Sequence, residues 1–303
     1  LTSGYQNVAI GYQAATALQS SVGGVFIGYR AGLNITTGHS NIAIGNNALL
    51  TEDTHGYNIA IGSSALKDQD AGADAYNVAI GHEAGQNVTT GIYNTIIGGL
   101  AGDALTTGDN NVVLGYQALT TEQAGGRNVA IGTYALQDLN TGSNAYNVAV
   151  GHAVGSQMTS GTRNTLVGAL TGDALTSGYY NTALGYQALS SSVSGRNAVA
   201  IGYQALSNEN STNTETYNVA IGYTAGAQIT TGIQNTLIGG LAGDALTTGI
   251  QNVAIGYGAL SSEDGHGKNV AIGYNTLNVQ DAGADGYNVA IGYDAGLSVT
   301  TGV

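Results

Sequence analysis

The sequence predicts an all-β fold, a parallel β-solenoid or β-roll of about seventeen coils, each seventeen to twenty positions long, and three observations carry that prediction. The stretch Asn-Val-Ala-Ile-Gly-Tyr stands intact at Asn7–Tyr12, Asn218–Tyr223, Asn252–Tyr257, Asn269–Tyr274 and Asn288–Tyr293, and recurs in edited form throughout. Its glycine returns at Gly11, Gly28, Gly45, Gly62, Gly81 and onward to Gly292, every seventeenth position except for a step of nineteen or twenty every fourth time. Fixed self-similarity of this kind marks units that bury an apolar face only by stacking on one another. Finally, the 49 glycines and the recurrent asparagines would cost a helix too much.

The strand comes first in each coil. Ile, Leu or Val precedes every anchor glycine and Val, Ile or Thr stands two places earlier, the spacing of a short strand with one face inward. On that reading the branched pair, such as Val8 and Ile10 or Val253 and Ile255, fills the coil. The residue between them, usually Ala as at Ala9, Ala43 or Ala290, turns outward toward something beyond the coil. Four places before the glycine stands Asn, replaced only by Gly24 and Ala198, and stacked asparagines can bond side chain to side chain and fix register. The glycine itself suits a positive-φ corner.

Four coils make the larger repeat: the steps from Gly11 to Gly81, Gly81 to Gly151, Gly151 to Gly222 and Gly222 to Gly292 are seventy, seventy, seventy-one and seventy positions. The first coil carries a small residue after the strand, as at Ala84-Gly85. The second reads Gly-Asp-Ala-Leu at Gly102, Gly172 and Gly243, with the mid-strand residue swollen to Phe26, Ile96, Leu166 and Leu237. Its neighbours shrink in step to Thr95, Thr165 and Thr236, and to Gly99, Ala169 and Gly240, as close packing demands. The third leads into Arg127, Arg196 or Lys268. The fourth holds a longer loop, acidic at Lys67–Ala75 and Val279–Gly286, with the one later insertion near Asn208–Thr216. The whole chain, 1–303, reads as one continuous array, sixteen steps of ~4.8 Å or roughly 77 Å. Leu1-Thr2-Ser3-Gly4 and Thr300–Val303 stand in mid-turn without polar caps, which predicts a segment of a longer fibre.

Composition narrows function. Charged residues are 8% of the chain against roughly 25% in ordinary soluble domains, and the net charge is −13. That sign disfavours nucleic acid and anionic lipid. No apolar run approaches the ~18 residues of a membrane span, and zero Cys excludes disulfides and thiolate metal sites. No catalytic constellation emerges, so no enzyme, cofactor or metal is expected. His39, His55, His82, His152 and His266 fall on different coils with no partner at ligand or triad spacing. Among the acids, Asp281 and Asp285 are the best candidates for a hard cation, beside Glu52 and Asp53, Asp68, Asp70 and Asp74, and Glu263 and Asp264. The calcium β-roll pattern is absent, and a solvated turn explains them better. Asp103, Asp173 and Asp244 fit turns that bond their own backbone. Thr-Thr pairs such as Thr36–Thr37 skip two coils in four and make no continuous ice-binding array, and the sequons at Asn34, Asn87 and Asn210 matter only if the chain is glycosylated. Of the nineteen tyrosines many follow the anchor glycine and others precede the Asn, and they are expected to stack in rows rather than face carbohydrate.

The strand and small-residue turn of Asn7–Ala14 and Asn252–Ala259 resembles the head repeat of YadA-type trimeric autotransporter adhesins. Gly4–Ala14 and Gly178–Leu189 are equally similar to the Gly-Tyr-x-Asn-x-Ala-Ile-Gly-Tyr-x-Ala-Leu arrays of bacteriophage tail fibres. The adhesin resemblance implies a left-handed β-roll with three chains side by side, although coils of seventeen and nineteen positions exceed the adhesin's roughly fourteen, and the neck and anchor of that family are missing. The expected function is a structural shaft of an extracellular, cell-surface or virion fibre, self-associating as a homotrimer through the outward Ala face and its bulky replacements. A glycan-binding adhesive module is the alternative.

Overall fold

The computed structural model describes residues 3–212 and 214–302. Leu1, Thr2 and Val303, and with them part of the two chain-end turns, lie outside the described residues, as does Asn213 of the inserted stretch. The chain divides into two units, Leu1–Ala149 and Val150–Val303. In the first, the strands are β1 (Val8–Ile10), β2 (Val25–Ile27), β3 (Ile42–Ile44), β4 (Ile59–Ile61), β5 (Val78–Ile80), β6 (Thr95–Ile97), β7 (Val112–Leu114) and β8 (Val129–Ile131). Strand β9 (Val148–Val150) falls at the division. The second holds β10 (Thr165–Val167), β11 (Thr182–Leu184), β12 (Val199–Ile201), β13 (Val219–Ile221), β14 (Thr236–Ile238), β15 (Val253–Ile255), β16 (Val270–Ile272) and β17 (Val289–Ile291). Within each unit successive strands pair parallel and in register, Val25, Phe26 and Ile27 lying opposite Ile42, Ala43 and Ile44, and Thr236, Leu237 and Ile238 opposite Val253, Ala254 and Ile255. The fold is a parallel β-solenoid, with no helix among the described residues.

Each strand is short because the backbone position that follows it is one only glycine tolerates. The anchor glycines all have φ between 128° and 144°, and a Cβ on Gly256 would collide with the Gly273 carbonyl oxygen of the next coil. Further left-handed residues follow two and four places on, for example Gln117 and Leu119 at φ 51° and 52°. They turn the chain tightly enough for so short a coil to close. A left-handed leucine costs roughly 1–2 kcal/mol, and its fully buried side chain offsets that cost.

The face that fills the coil is the reverse of the sequence expectation. Phe26, Ala43, Ala60, Ala79, Ile96, Ala130, Leu166, Leu237 and Ala254 are fully buried, whereas the branched residues beside them are half-buried or exposed. Val253 and Ile255 are half-buried on the outside; Val8 and Ile10 are exposed outright, with Ala9 exposed too in the terminal coil. The reason is space. A coil this small holds one inward side chain per strand, together with the residues four and seven places after the glycine, and leaves the two branched residues outside.

Volume is balanced across that interior. In the third and fourth coils of each group the buried residue four places after the glycine is Leu, beside a mid-strand Ala at Leu49, Leu66, Leu189 and Leu260 and beside Val113 at Leu119. Where the mid-strand residue swells, glycine takes that place: a Cβ on Gly102 would meet Leu105 at 2.9 Å and Ile96 at 3.5 Å, and one on Gly172 would meet Leu166 at 3.2 Å. The compensating residues are therefore these interior glycines. Thr95, Thr165 and Thr236, paired with the bulky residues by sequence, sit on the outer face.

The asparagine ladder is present and does more than expected. Asn111 Oδ1 accepts the Asn128 backbone N–H at 3.0 Å and the Asn128 side-chain amide at 3.3 Å, while Asn111 Nδ2 donates to the Gly125 carbonyl at 3.1 Å. The pattern repeats at Asn41, Asn94, Asn164, Asn218 and Asn252. Each side chain thus satisfies backbone groups that so short a strand leaves unpaired, which a buried amide must do to avoid a desolvation cost.

Candidate functional surface

Outward from each strand the two branched side chains form paired apolar rows running from coil to coil. Apart from the terminal strands, their most exposed large apolar members are Leu114 and Leu184, at 42% and 46%. Tyrosines flank the rows in sequence on both sides. After the glycine, Tyr186, Tyr203 and Tyr223 stack with centroids 5.7 and 5.3 Å apart, and Tyr257, Tyr274 and Tyr293 at 5.6 and 5.2 Å. Before the Asn, Tyr57, Tyr76 and Tyr93 stack at 4.9 and 5.7 Å. Stacking is what the sequence predicts for these rings. The basic residues join them: Arg127 donates to the Tyr146 hydroxyl at 2.9 Å, Arg196 lies 4.5 Å over Tyr179, and Lys268 donates to the Tyr287 hydroxyl at 2.9 Å.

A second feature lies in the third-coil loops. Glu52 and Glu263, seven places after their glycines, are fully buried, and each meets the histidine three places on: His55 Nδ1 is 3.4 Å from Glu52 Oε1, and His266 Nδ1 is 3.3 Å from Glu263 Oε1. The expectation that no histidine has a partner is corrected here. Glu-Asp-x-His-Gly, at Glu52–Gly56 and Glu263–Gly267, is the local signal, invisible to a comparison of distant ligand pairs. Ligand atoms of Glu52, Asp53 and His55 converge within 4.8 Å, as do those of Glu263, Asp264, His266 and Asp281.

Such nitrogen and oxygen groups suit a divalent transition ion by type. The buried carboxylates are already engaged, however. Glu52 Oε1 accepts the N–H groups of Asp53 and His55, and Oε2 those of the Gln69 side chain and Ala71. Glu263 accepts from His266 N–H, the Gln280 amide and Ala282 N–H. They close the loop and tie it to the next coil. Burial raises the Glu52 pKa, against the opposing hydrogen bonds from Gln69, His55 and Ala71 and the nearby His55.

The acidic pair singled out from sequence is split. Asp281 joins the Glu263 group, whereas Asp285 accepts from Lys268 at 2.6 Å and from Gly267 N–H at 3.1 Å, interactions that hold its carboxyl below the usual range. Asp74 does the equivalent job for Gly56 N–H at 2.9 Å, and Asp68 pairs with Lys67 at 3.4 Å. Asp103, Asp173 and Asp244 carry pKa values raised by burial, opposed by bonds to their own backbone N–H groups as the turn reading requires. The first threonine of the Thr pairs spends its hydroxyl on the next coil, as Thr36 does on the Asp53 carbonyl at 3.0 Å and Thr230 on that of Thr247 at 3.2 Å.

These features define a repeat protein of the parallel β-solenoid class, with apolar and aromatic rows outside and polar ladders within. Compared with known proteins, the chain matches no family model and no curated protein.

Proposed function

We propose that this chain is a structural segment of an extracellular, cell-surface or virion fibre, self-associating as a homotrimer and carrying a receptor-binding end borne elsewhere on the fibre. The observation that carries the reading is the outward apolar ridge, Val, Ile or Thr paired with Ile, Leu or Val in every coil. Three strand positions at ~3.3 Å by one ~4.8 Å strand spacing give about 50 Å² of ridge per coil. A stable interface takes roughly 800 Å² per partner, so the reading draws on the ridge strands of many coils rather than on a local patch. The contact that the sequence alone assigns to Phe26, Ile96, Leu166 and Leu237 moves to this ridge, because those four side chains are sealed inside the coil.

The tyrosine rows favour a shaft over a glycan-binding module. Rings that stack on one another, as Tyr57 and Tyr76 do at 4.9 Å and Tyr76 and Tyr93 at 5.7 Å, have spent their faces, the part a sugar would occupy.

Light scattering during gel filtration tests the assembly. The wild type is expected at three times the 30.3 kDa chain mass, and L114D/L184D, altered only on the outside, at the single-chain mass with an unchanged circular dichroism spectrum. A monomeric wild type at every concentration overturns the trimer; glycan capture that disappears on substituting single tyrosines would favour the adhesive module instead.

A further inference from the structure

The seventh residue after the anchor glycine is buried in every coil but the last, and in the third and fourth coils of each group it forms a pair across successive coils: Glu52 and Gln69, Glu122 and Leu139, Ser192 and Glu209, Glu263 and Gln280. In two groups a carboxamide follows a carboxylate and works in both directions. Gln69 Nε2 donates to Glu52 at 3.1 Å while its Oε1 accepts from Asn77 Nδ2 at 2.9 Å. Gln280 donates to Glu263 at 3.2 Å and accepts from Asn288 at 3.1 Å. In these two groups the side chain at this place supplies one donor and one acceptor, whereas in the second group the apolar Leu139 fills it.

The third group departs from this. A carboxyl, Glu209, occupies the carboxamide's place, and a serine, Ser192, replaces the carboxylate one coil earlier. The Ser192 and Ser211 hydroxyls and the Ser211 N–H stand close to the Glu209 carboxyl, but neither of its oxygens receives a hydrogen bond of good geometry, and all three side chains are fully or almost fully buried. They nonetheless lie together: a Cβ built on Gly195 would come within 2.6 Å of Ser192 Oγ and within 2.8 and 2.9 Å of the two Glu209 oxygens. Glu122 shows what a well-bonded carboxyl group at a buried seventh position receives, namely the N–H groups of Gln123, Gly125 and Thr141 and the Thr141 hydroxyl, at 2.7–3.1 Å. Around Glu209, among the described residues, only the two serine hydroxyls and the Ser211 N–H stand near, without that geometry.

We propose that Glu209 holds a proton at neutral pH and serves as a neutral carboxylic acid in the place of a glutamine, its O–H supplying the donor and its carbonyl oxygen the acceptor that Gln69 and Gln280 supply through their amides. The proton makes the twelfth coil, the longest in the chain, pH-sensitive. Burial raises the Glu209 pKa from 4.5, and the Ser192 and Ser211 hydroxyls and Ser211 N–H oppose it less strongly. An acid whose pKa is higher folded than unfolded contributes stability that is complete below the unfolded value and is lost as pH rises through the folded one. Few charges compete. Arg196, on the preceding loop, lies over Tyr179; Glu215, on the same loop as Glu209, pairs backbone with Arg196; the following coil presents Gln228, Ile229 and Thr230, none charged.

The test compares E209Q with the wild type by denaturant unfolding from acid to mildly alkaline pH. The two should be equally stable at the acid end, with E209Q's folding constant gaining about tenfold per pH unit over the wild type until Glu209 ionises, then holding steady. Infrared difference spectra at neutral pH should show a protonated carboxylic C=O band in the wild type that E209Q lacks. Lower stability of E209Q at all pH values, its failure to fold, or only carboxylate bands in the difference spectrum would overturn the proposal. So would stabilisation of the wild type, but not E209Q, by sodium, potassium or calcium, which would make the site a cation site.

Discussion

Ala254 and Ile255 are adjacent in one strand, yet they live in different solvents: the alanine is fully buried and the isoleucine half-exposed. Size alone would assign them the other way round, since the larger side chain gains more from burial. Available volume overrides that preference: the largest mid-strand side chains stand beside glycine, as Leu237 does beside Gly243. L237A should accordingly cost about 2–5 kcal/mol, the range for emptying a core site. I255A, whose side chain is already half in water, should cost about 1 kcal/mol or less while the chain is alone. Urea unfolding of the two variants, read at low concentration, separates them; equal losses would mean that both faces are packed within a single chain.

At the scale of one coil, so short a strand offers too few ladder bonds to define register, and the asparagine before it supplies the rest. Asn111 binds both Asn128 and Gly125 in the next coil. N111A removes these bonds and leaves the Asn128 N–H buried without its partner, an expected loss of about 1–3 kcal/mol. Ala198 and Gly24 show where the chain already does without: Gly24 yields its space to the Phe26 ring, which a Cβ there would meet at 2.5 Å. Hydrogen exchange should show the Asn128 amide losing protection in N111A with that of Val8 unchanged; unaltered exchange at Asn128 would argue against the ladder.

For the whole molecule, a net charge of −13 sets chains repelling one another, while the outer ridge is apolar. Salt screens the first and leaves the second. Association is therefore expected to strengthen with ionic strength, measured by sedimentation equilibrium at low and high salt. Weakening instead would assign the contact to opposite charges, such as those around Arg127 or Lys268. The ridge-facing L114D/L184D variant should stay monomeric under both conditions.

Period, strand position and the ladder were legible in the sequence because each is a one-dimensional signal: the glycine recurs where the backbone needs it, and Asn recurs where buried amides need partners. The stacking of the tyrosines was legible for the same reason, each ring recurring at one place in its coil. Which strand face points inward was not legible, since Val-Ala-Ile is apolar on both sides and only the cross-section of the closed coil chooses between them. The Glu52–His55 and Glu263–His266 contacts depended on a local turn that brings each buried carboxylate back to the histidine after it. The meaning of Glu209 depended on what stands one coil away, where Ser192 replaces a carboxylate. Along the chain Ser192 and Glu209 are a whole coil apart; across the stack they are neighbours, and that adjacency belongs to the tertiary structure alone.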